Sequence, residues 1–422
     1  MLELVLSPKR VADEKALPHV RHYDAWITAG GDGLTALAYR ISEMLRSPTI
    51  TQERKPRADA MERRKRSVET LVANLLIVTL DPAEYVGLAV PLRNAGGTRY
   101  DRRAFTVDVL RQSIKDAENA GLVSVEKGKF KERRTVVVPT PRFRQLVAEY
   151  AVSIVDIHHL AGRETIELWT GSNRGRDKMP VHYEDCPEAD ALRAQMAEIN
   201  RVLNDADIRL DGEPTSPIHL VRQFHTDQPG DAIKFDRHGR IYGGFWEDLP
   251  RKKRGFLTID GEPVADLDFS SMFVQLAYFH QGAEPLPGDQ YEIPGLEGYR
   301  SAVKSPMVSL FFRKVEAQRL PAGSREELPE GWNMTRFKAA VKIRHPAIAH
   351  LFDTNVGFEL MARESEILVG ILLELASKGV AALPMHDGIM VAACHKNLAI
   401  ETMRKVSAER VGRPLKVVVK AI

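Results

Sequence analysis

The sequence has little cysteine and no long apolar stretch. Its two cysteines, Cys186 and Cys394, lie far apart in a chain of 422 residues, which excludes a disulfide framework or a cysteine zinc cluster. No run approaches the roughly 18 apolar residues of a membrane span. The chain also does not open on a basic region followed by an apolar segment. We therefore expect a cytoplasmic protein that is neither secreted nor bound to a membrane.

The overall composition is that of a soluble protein of two to three domains, with 44% hydrophobic and 28% charged residues. The net charge of +3 hides an asymmetry. Residues 1–150 hold 26 Lys and Arg against 19 Asp and Glu, whereas residues 151–422 hold 34 against 38. A basic front third predicts a surface that faces phosphates. The alternative is a basic face that is simply solvated.

The pattern between residues 99 and 144 gives the front third a specific interpretation. Apolar residues at helical spacing predict a helix over 106–120, which Gly121 is placed to end. Two short strands, 122–125 and 135–138, flank a highly charged connection. This order is typical of a winged helix-turn-helix module, so we expect Arg133 and Arg134 in the hairpin to contact nucleic acid. The alternative is an α+β packing domain with an exposed hairpin.

The middle of the chain is the least informative part. One amphipathic helix is predicted around 189–203, so we expect residues 151–225 to form a helical connector between domain 1–150 and domain 226–422. Asp211 and Asp260 each begin an Asp-Gly-Glu sequence, a spacing also found in exonuclease carboxylate pairs. Asp-Gly dipeptides favour turns, however, and we interpret both as turns.

Three features after residue 227 point to chemistry. Gly239-Arg240 combines a glycine that permits close backbone approach with a guanidinium that fits phosphate or a base edge. A strand carrying Asp266 and Asp268 runs into an apolar helix, and His386-Asp387 stands between two apolar runs that read as a hairpin. Two aspartates from different strands suffice for Mg²⁺, which keeps waters and substrate oxygens as ligands. Ordinary turns and solvent-facing aspartates are the alternatives for each feature taken alone.

The order of these features resembles the polymerase core of family A DNA polymerases and single-subunit phage RNA polymerases. The resemblance rests on Gly239-Arg240, Asp268-Phe-Ser-Ser, Arg300-x3-Lys304 and His386-Asp387, and it covers about residues 235–395. The chain is also similar to compact primase-polymerases of plasmids and other mobile elements. The resemblance implies an α+β fold, with a palm of antiparallel strands and helical fingers in 226–422. Residues 151–225 would then be a reduced thumb, behind a helical or winged-helix domain.

The resemblance also implies roles for individual residues. Asp268 and Asp387 would bind Mg²⁺, with Mn²⁺ as a substitute, and Asp266 is the alternative ligand in the first motif. Lys304 would take part in catalysis, and His386 would lie near the primer terminus. Gly239 and Arg240 would grip primer and template. The incoming nucleotide would be contacted by Arg300, Lys304, Val308 and Phe312. Two departures concern the fingers: Pro306 favours a helix that begins only at 305–306, and Arg313 replaces a usual glycine.

The expected function is template-directed DNA synthesis from deoxynucleoside triphosphates on a DNA template and primer, in the replication of a plasmid or mobile element. Phe273 and Phe312 offer no hydrogen bond to a ribose 2′-hydroxyl, which favours deoxynucleotides. A helicase or single-strand binding protein is a candidate partner. Two alternatives stay open: a replication initiator with an inactive palm, and a single-subunit RNA polymerase. Glu364 begins a helix that we interpret mainly as core support.

Overall fold

The computed structural model of the protein describes residues 20–45, 58–91, 97–102, 105–128, 134–171, 178–227, 230, 233–316, 318–321 and 323–421. They form a mixed α/β fold. The helices are α1 (Asp32–Met44), α2 (Ala58–Leu80), α3 (Val107–Asn119), α4 (Pro141–Glu149), α5 (Pro187–Asp205), α6 (Arg251–Arg254), α7 (Met272–His280), α8 (Arg300–Ser309), α9 (Ser324–Glu327), α10 (Met334–Arg344), α11 (Gly357–Ala376) and α12 (Lys396–Val411). Within these ranges, no helix combines the length and apolar character needed to span a bilayer.

Seventeen strands accompany the helices in the described ranges. They are β1 (Val20–His22), β2 (Ile27–Ala29), β3 (Gly87–Val90), β4 (Val123–Glu126), β5 (Thr135–Pro139), β6 (Ile157–His159), β7 (Ile166–Thr170), β8 (Met179–Pro180), β9 (Ile208–Leu210), β10 (Glu213–Pro214), β11 (Val221–His225), β12 (His238–Tyr242), β13 (Leu257–Ile259), β14 (Glu262–Phe269), β15 (Ala382–Met385), β16 (Gly388–Ala392) and β17 (Val417–Lys420). Their sheets have the orders β1-β3-β5-β4, β2-β6, β12-β11-β7-β8 and β10-β9-β13-β14-β16-β15, with β17 added to β14.

The predicted helix and two strands of the front third are confirmed. Thr106 caps α3, since its hydroxyl accepts a hydrogen bond from the Val109 amide at 3.4 Å, and Gly121 follows the helix with φ +69°. β4 and β5 pair antiparallel, and β5 also pairs with β3, which precedes α3. Arg134 lies at the start of β5. Arg133, the other predicted contact in this hairpin, lies outside the described residues.

Buried apolar side chains form two separate clusters. One is built from residues between Ile27 and Ile157, chiefly on α1, α2, α3 and the front sheet. The other extends from Ala83 and Ile166 to Leu415 and fills the space around the large sheet and α11. Polar contacts join the two parts of the chain. Arg163 donates to Asp24 at 2.7 Å, and the His159 ring of β6 lies within 3.2 Å of the Pro217 carbonyl oxygen.

Residues 151–225 differ from the expected helical connector. The helix predicted around 189–203 is present as α5, but six of the remaining segments, β6 to β11, are strands that belong to three sheets. β7 pairs parallel with β11, and β9 pairs antiparallel with β13. Strands of two to five residues show too little alternation to be recognised in the sequence. They are stabilised by pairing with distant segments of the chain rather than by a local pattern. Both Asp-Gly turns are confirmed, with φ +55° at Asp211 and +52° at Asp260.

The largest sheet is organised around β14. Its first residues pair with β13, and its last four pair with β17, while β16 runs antiparallel along the other side. Leu267 and Ile389, which are fully buried, pair directly across β14 and β16. α7 follows β14 after two residues, and α11 packs against α7 and β15. This sheet holds the end of β14 and the turn between β15 and β16 next to each other.

The expected start of the fingers helix is wrong. α8 begins at Arg300, after Gly298 at φ +82°, and Pro306 lies inside it rather than at its first turn. Pro306 lacks the amide hydrogen that would complete one bond of the helix. It is tolerated because the α-helix ends three residues later and a 3₁₀ turn, Leu310–Phe312, continues the chain. Arg313 has φ −95°, so the backbone at this position does not require the glycine of the family pattern.

Glu247 provides a prediction about pH and stability. Burial raises the pKa of this half-buried carboxyl to about 8, although the Gly244 amide donates a hydrogen bond to it at 3.3 Å. The folded protein therefore holds a proton that the unfolded chain loses near pH 4.5, and stability falls as pH rises from about 4.5 to 8. We expect Glu247→Gln to match the wild type at pH 4 and to be more stable by about 2–4 kcal/mol at pH 8.5, because a pKa shift from 4.5 to about 8 is worth at most about 5 kcal/mol and partial exposure reduces it. Thermal unfolding at both pH values checks this, and an equal difference at both would contradict it.

Candidate active site

Two of the predicted residues meet at the edge of the large sheet. Asp268 is the penultimate residue of β14, and its backbone pairs with Gly388, the first residue of β16. Asp387 precedes Gly388 in the two-residue turn after β15, and its carbonyl oxygen accepts a hydrogen bond from the Phe269 amide at 3.2 Å. One carboxylate therefore comes from β14 and the other from the turn that precedes its antiparallel partner β16, and the two are close enough for Asp387 to act electrostatically on Asp268. The β-structure at this point follows from apolar runs on both sides of each aspartate.

The carboxylate of Asp268 lacks a full set of partners. Its Oδ1 atom is buried without a hydrogen bond, and the residue is 6% exposed. Burial, and then the negative charge of Asp387, raise the pKa of Asp268 to about 7. Among the described residues no group of three or more His, Cys, Asp or Glu side chains forms a ready metal cage. A hard cation that takes only two protein carboxylates is what this pair fits, because it would satisfy the unpartnered oxygen.

The hairpin turn that carries Asp387 is conformationally demanding. His386 adopts φ +35°, a left-handed conformation that is rare for residues with a side chain. A Cβ atom on Gly388 would lie 2.3 Å from the Leu267 carbonyl oxygen and 3.2 Å from Oδ1 of Asp268. Only glycine permits this approach. The turn therefore brings Asp387 close to β14 at the cost of local strain.

His386 itself is a neutral group in this arrangement. Burial, and then the positive charge of Arg240, lower the pKa of His386 to about 4. Its Nδ1 atom is buried without a hydrogen bond, and its ring contacts that of Tyr242 at 5.7 Å between centroids. A neutral imidazole at this place can accept or donate one hydrogen bond to a substrate hydroxyl.

Lys420 is the nearest cation to the pair and was missed in the sequence. β17 pairs with β14 so that Lys420 lies opposite Asp266, and its ammonium forms an ion pair with Oδ2 of Asp268. The carboxylates of Asp268, Asp387 and Asp266 together raise the pKa of Lys420 against the opposing effect of burial. The ammonium of Lys420 therefore lies beside the carboxylates that a divalent cation would need.

α8 presents two cations on the same side of the site. Lys304 is close enough to lower the pKa of Asp268, and Arg300 forms an ion pair with Asp289. Both lie over the ring of the buried Tyr291, with Arg300 Cζ at 5.2 Å and Lys304 Nζ at 6.0 Å from its centroid. Asp387 also raises the pKa of Tyr291, after the larger effect of burial. Arg300 and Lys304 therefore lie near the two aspartates, together with Asp289 and Tyr291.

A buried ion pair also lies near Asp387. Arg240 of β12 donates to Oε2 of Glu364 on α11 through Nε at 2.7 Å and Nη2 at 2.5 Å, and the two residues are 5% and 2% exposed. Burial, with a contribution from Asp387, raises the pKa of Glu364 to about 7 against the effect of Arg240. Gly239 has φ +73°, and its carbonyl accepts hydrogen bonds from Arg222 and Ser365. The Gly239-Arg240 element is therefore anchored inside the fold.

The three apolar residues predicted to contact the nucleotide are mostly buried. Phe273 of α7 stacks on Phe312 with 5.5 Å between ring centroids and contacts Phe311 at 5.8 Å. Exposed fractions are 6% for Phe273, 5% for Phe312 and 4% for Val308. Phe312 also leaves no room for a Cβ atom on Gly357, at the start of α11. Phe273 and Phe312 therefore form an aromatic wall that packs against the start of α11.

Of the two nucleic-acid contacts predicted in the front third, the structure describes Arg134, which is exposed. Arg134 lies at the surface, within 3.2 Å of the His22 ring. A separate shallow crevice lies where α2 meets the first turn of α3. Its lining is Arg63, Arg66, Ser67, Arg102, Phe105, Thr106 and Val109. Three guanidinium groups around one crevice suit the binding of phosphate.

A scan against protein-family models finds no match for this chain, and a search of curated proteins finds none either.

Proposed function

We propose that this protein is a template-directed nucleotidyltransferase, a DNA polymerase or primase-polymerase that serves the replication of a plasmid or mobile element. One observation carries the proposal: Asp268 near the end of β14 lies beside Asp387 in the turn between β15 and β16, and Lys304 of α8 is close to the pair. Two aspartates near cations suit the transfer of a nucleotidyl group from a triphosphate. In this proposal β14, β15, β16 and β17 form the palm, and α8 belongs to the fingers.

The residues of the chain have distinct tasks in this reaction. Asp268 and Asp387 would hold two Mg²⁺ ions, or Mn²⁺. These ions would activate the primer 3′-hydroxyl and neutralise charge on the triphosphate. Lys304 and Arg300 bind phosphate oxygens from the α8 side, and Lys304 can donate a proton to the leaving pyrophosphate. Arg240 and Glu364 keep the Asp387 turn in position from behind. The aromatic wall of Phe273 and Phe312 excludes water from the base and sugar of the nucleotide.

The front third would bind the nucleic acid. Its sheet order β3-β5-β4, with α3 directly before β4, supports a winged-helix interpretation with α3 as the recognition helix. Arg111, Gln112 and Lys115 lie on the exposed face of α3. We assign backbone contacts to the β4–β5 hairpin, including Arg134, and base contacts to this face of α3.

The experiment that tests the proposed function measures nucleotide incorporation by the purified chain. Primed and unprimed single-stranded DNA templates are supplied with deoxynucleotides or ribonucleotides and Mg²⁺ or Mn²⁺, beside an Asp387→Ala control. Incorporation that the control lacks supports a polymerase, and products on unprimed template add primase activity. A preference for ribonucleotides would favour an RNA polymerase. DNA binding without incorporation under any condition would overturn the proposal in favour of a replication initiator.

Lys420 gives a prediction about cation binding. Because its ammonium pairs with Asp268, a divalent cation must displace it or tolerate its charge. We expect Lys420→Gln to bind Mn²⁺ about tenfold more tightly in the absence of substrate, since one nearby positive charge is removed. Isothermal titration calorimetry measures this, with Lys416→Gln as the charge-matched control on an exposed lysine four residues away. Weaker Mn²⁺ binding in Lys420→Gln would show that Lys420 supports the cation site instead.

The arginine crevice gives a prediction about DNA affinity. We expect Arg63→Ala/Arg66→Ala to weaken binding to duplex DNA and to reduce the slope of log affinity against log salt by about 2, because two phosphate contacts are lost. Fluorescence anisotropy at several salt concentrations measures both quantities. The matched control is Arg201→Ala/Arg209→Ala, which removes two exposed arginines that are paired with carboxylates elsewhere. Equal effects in both double variants would show that the arginines of the crevice are simply solvated and have no specific role in DNA binding.

A further inference from the structure

Positive charge converges on Asp266, the first of the two aspartates of β14. β17 places Lys420 directly opposite Asp266 in the sheet. α6 consists entirely of Arg and Lys, and its first and last residues, Arg251 and Arg254, also act on this aspartate. Burial raises the pKa of Asp266, and Lys420, Arg254 and Arg251 oppose that rise. We call these three cations the α6–β17 cluster, and none of them was a candidate in the sequence.

The two elements of the cluster are tied to each other by a main-chain contact. The Arg251 guanidinium donates to the carbonyl oxygen of Ala421, through Nε at 2.9 Å and through Nη2 at 2.6 Å. Ala421 follows Lys420 directly, so this contact holds the end of β17 against α6. Segments that lie 170 residues apart in the chain therefore bring their cations to one place.

Arg254 has hydrogen-bond donors to spare. Its guanidinium donates to the carbonyl oxygens of Leu249 at 3.2 Å and Glu247 at 3.4 Å, and among the described residues it forms no ion pair. An arginine side chain carries five N–H donors in a planar fork that matches the oxygens of a phosphate. Two long bonds to carbonyl oxygens therefore leave donors of this half-buried side chain for an anion.

Lys420 needs a second anion whenever the carboxylate site is in use. In the metal-free chain its ammonium pairs with Asp268. When that carboxylate holds a divalent cation, the ammonium loses this partner, and its positive charge is left beside the cation. The Lys420 side chain is 40% exposed, so an anion can reach it from the solvent. A phosphate at this place would satisfy Lys420 and Arg254 together.

The cluster and the cations of α8 act on different aspartates. Lys304 of α8 lowers the pKa of Asp268 against the larger effects of burial and Asp387. The two arginines of the cluster act on Asp266, which lies two residues, or about 7 Å, back along β14. The cluster is nevertheless close to the site, because Arg254 adds to the effect of burial in lowering the pKa of His386. A phosphate held by the cluster would therefore lie beside the carboxylates without taking the place of a triphosphate bound by α8.

We propose that the α6–β17 cluster binds phosphates of the primer strand next to its 3′ end. The strand whose 3′-hydroxyl reacts must end at the Asp268–Asp387 pair, so its last phosphates lie where the cluster is. The inference rests on the proposed function for the identity of this strand, although the binding itself requires no catalysis. A free triphosphate offers the same oxygens, and the test separates it from a strand.

The first test measures the affinity of the full chain for a labelled primer–template by fluorescence anisotropy. EDTA is present and nucleotides are absent, so no synthesis occurs. We expect Arg254→Gln to weaken binding about tenfold and to reduce the slope of log affinity against log salt by about 1, because one phosphate contact is lost. Arg254→Lys keeps the charge and should retain most of the affinity. Arg404→Gln, which changes an exposed arginine on α12, is the matched control, and binding of Arg254→Gln as tight as this control would overturn the inference.

A double-mutant cycle between protein and DNA identifies the strand. The terminal phosphates of the primer are replaced, one at a time, by uncharged methylphosphonates. At the contacted phosphate the wild type should lose affinity about tenfold, whereas Arg254→Gln should lose little more, since its contact is already gone. Losses that multiply at every primer position would overturn the inference. A shared loss that appears only when the template strand is modified would overturn the assignment to the primer.

Two further measurements complete the test. Inorganic triphosphate that displaces the primer–template from the wild type but not from Arg254→Gln would assign the cluster to the incoming nucleotide and overturn the inference. Arg251→Gln changes an exposed side chain, so it remains informative if Arg254→Gln folds poorly. It should also bind primer–template more weakly than the Arg404→Gln control.

The two proposals fail in different ways. A chain that binds the primer strand through Arg254 and never incorporates a nucleotide contradicts the polymerase and leaves the cluster assignment intact. A chain that incorporates nucleotides while its cluster variants bind primer–template normally contradicts the cluster assignment alone.

Discussion

Asp268→Asn is expected to lower the rate of nucleotide incorporation by at least about 10³-fold while making the metal-free protein more stable at pH 8. The loss of rate follows because an amide binds a hard cation far more weakly than a carboxylate does. The gain in stability follows from the metal-free site. Asp268 is buried, its Oδ1 has no hydrogen bond, and Asp387 repels it, so its carboxyl is harder to ionise than in water. A neutral side chain of the same shape removes this cost.

The measurements are single-turnover incorporation and thermal unfolding, each carried out on the same preparations. Asp266→Asn is the matched control, because Asp266 lies two residues away on the same face of β14 and is also buried. The control should keep most of its activity if Asp268 is the ligand. If Asp266→Asn is the inactive variant, the ligand assignment moves to Asp266. If Asp268→Asn is both less stable and active, the pair is structural.

The sequence predicted the parts of this site that are local. The Asp268 strand and the His386-Asp387 turn were found because each is bounded by apolar runs and because a two-residue hairpin has a short-range signal. The turns at Asp211 and Asp260 were recognised for the same reason. In each case the information lies within about ten residues, so long-range pairing did not need to be known.

The parts that escaped prediction depend on contacts between distant segments. Lys420 reaches Asp268 only because β17 pairs with β14 across more than 140 residues of chain, and Val417-Val-Val419 carries no alternation that fixes a register. Glu364 was interpreted only as part of a supporting helix, because nothing in the sequence of α11 indicates a partner on β12. Pro306 suggested a helix start, but Gly298 and the packing of α8 place the start at Arg300 instead. Tertiary context therefore decided these three positions.

The middle region illustrates the same limit on a larger scale. Residues 151–225 looked helical because α5 is the one segment long enough to show a periodic pattern. The strands around it acquire their identity from partners elsewhere, such as β12 for β11 and β13 for β9.

Arg240→Met is expected to destabilise the protein by about 3–5 kcal/mol and to abolish measurable incorporation. Its guanidinium donates twice to Glu364, and removing it leaves a carboxylate that is 2% exposed without its partner. The loss of stability should shrink as pH falls from 8 to 5. Burial already raises the pKa of Glu364 to about 7 in the presence of Arg240, so without Arg240 the folded state takes up a proton more readily and the charge disappears. Urea unfolding at both pH values measures this.

The double variant Arg240→Met/Glu364→Leu separates the structural role of the pair from its role in the site. Two apolar side chains of similar volume should recover most of the lost stability, because neither charge is then buried alone. Incorporation should not recover, since Arg240 also lowers the pKa of His386 and lies near Asp387. Lys338→Met is the matched control, because it removes one partner of a similarly buried ion pair with Asp353. That variant should lose stability but keep its activity at low temperature. Recovery of incorporation in the double variant would show that the Arg240–Glu364 pair only contributes packing. The Asp387 turn would then be positioned by the strained His386 conformation and by Gly388.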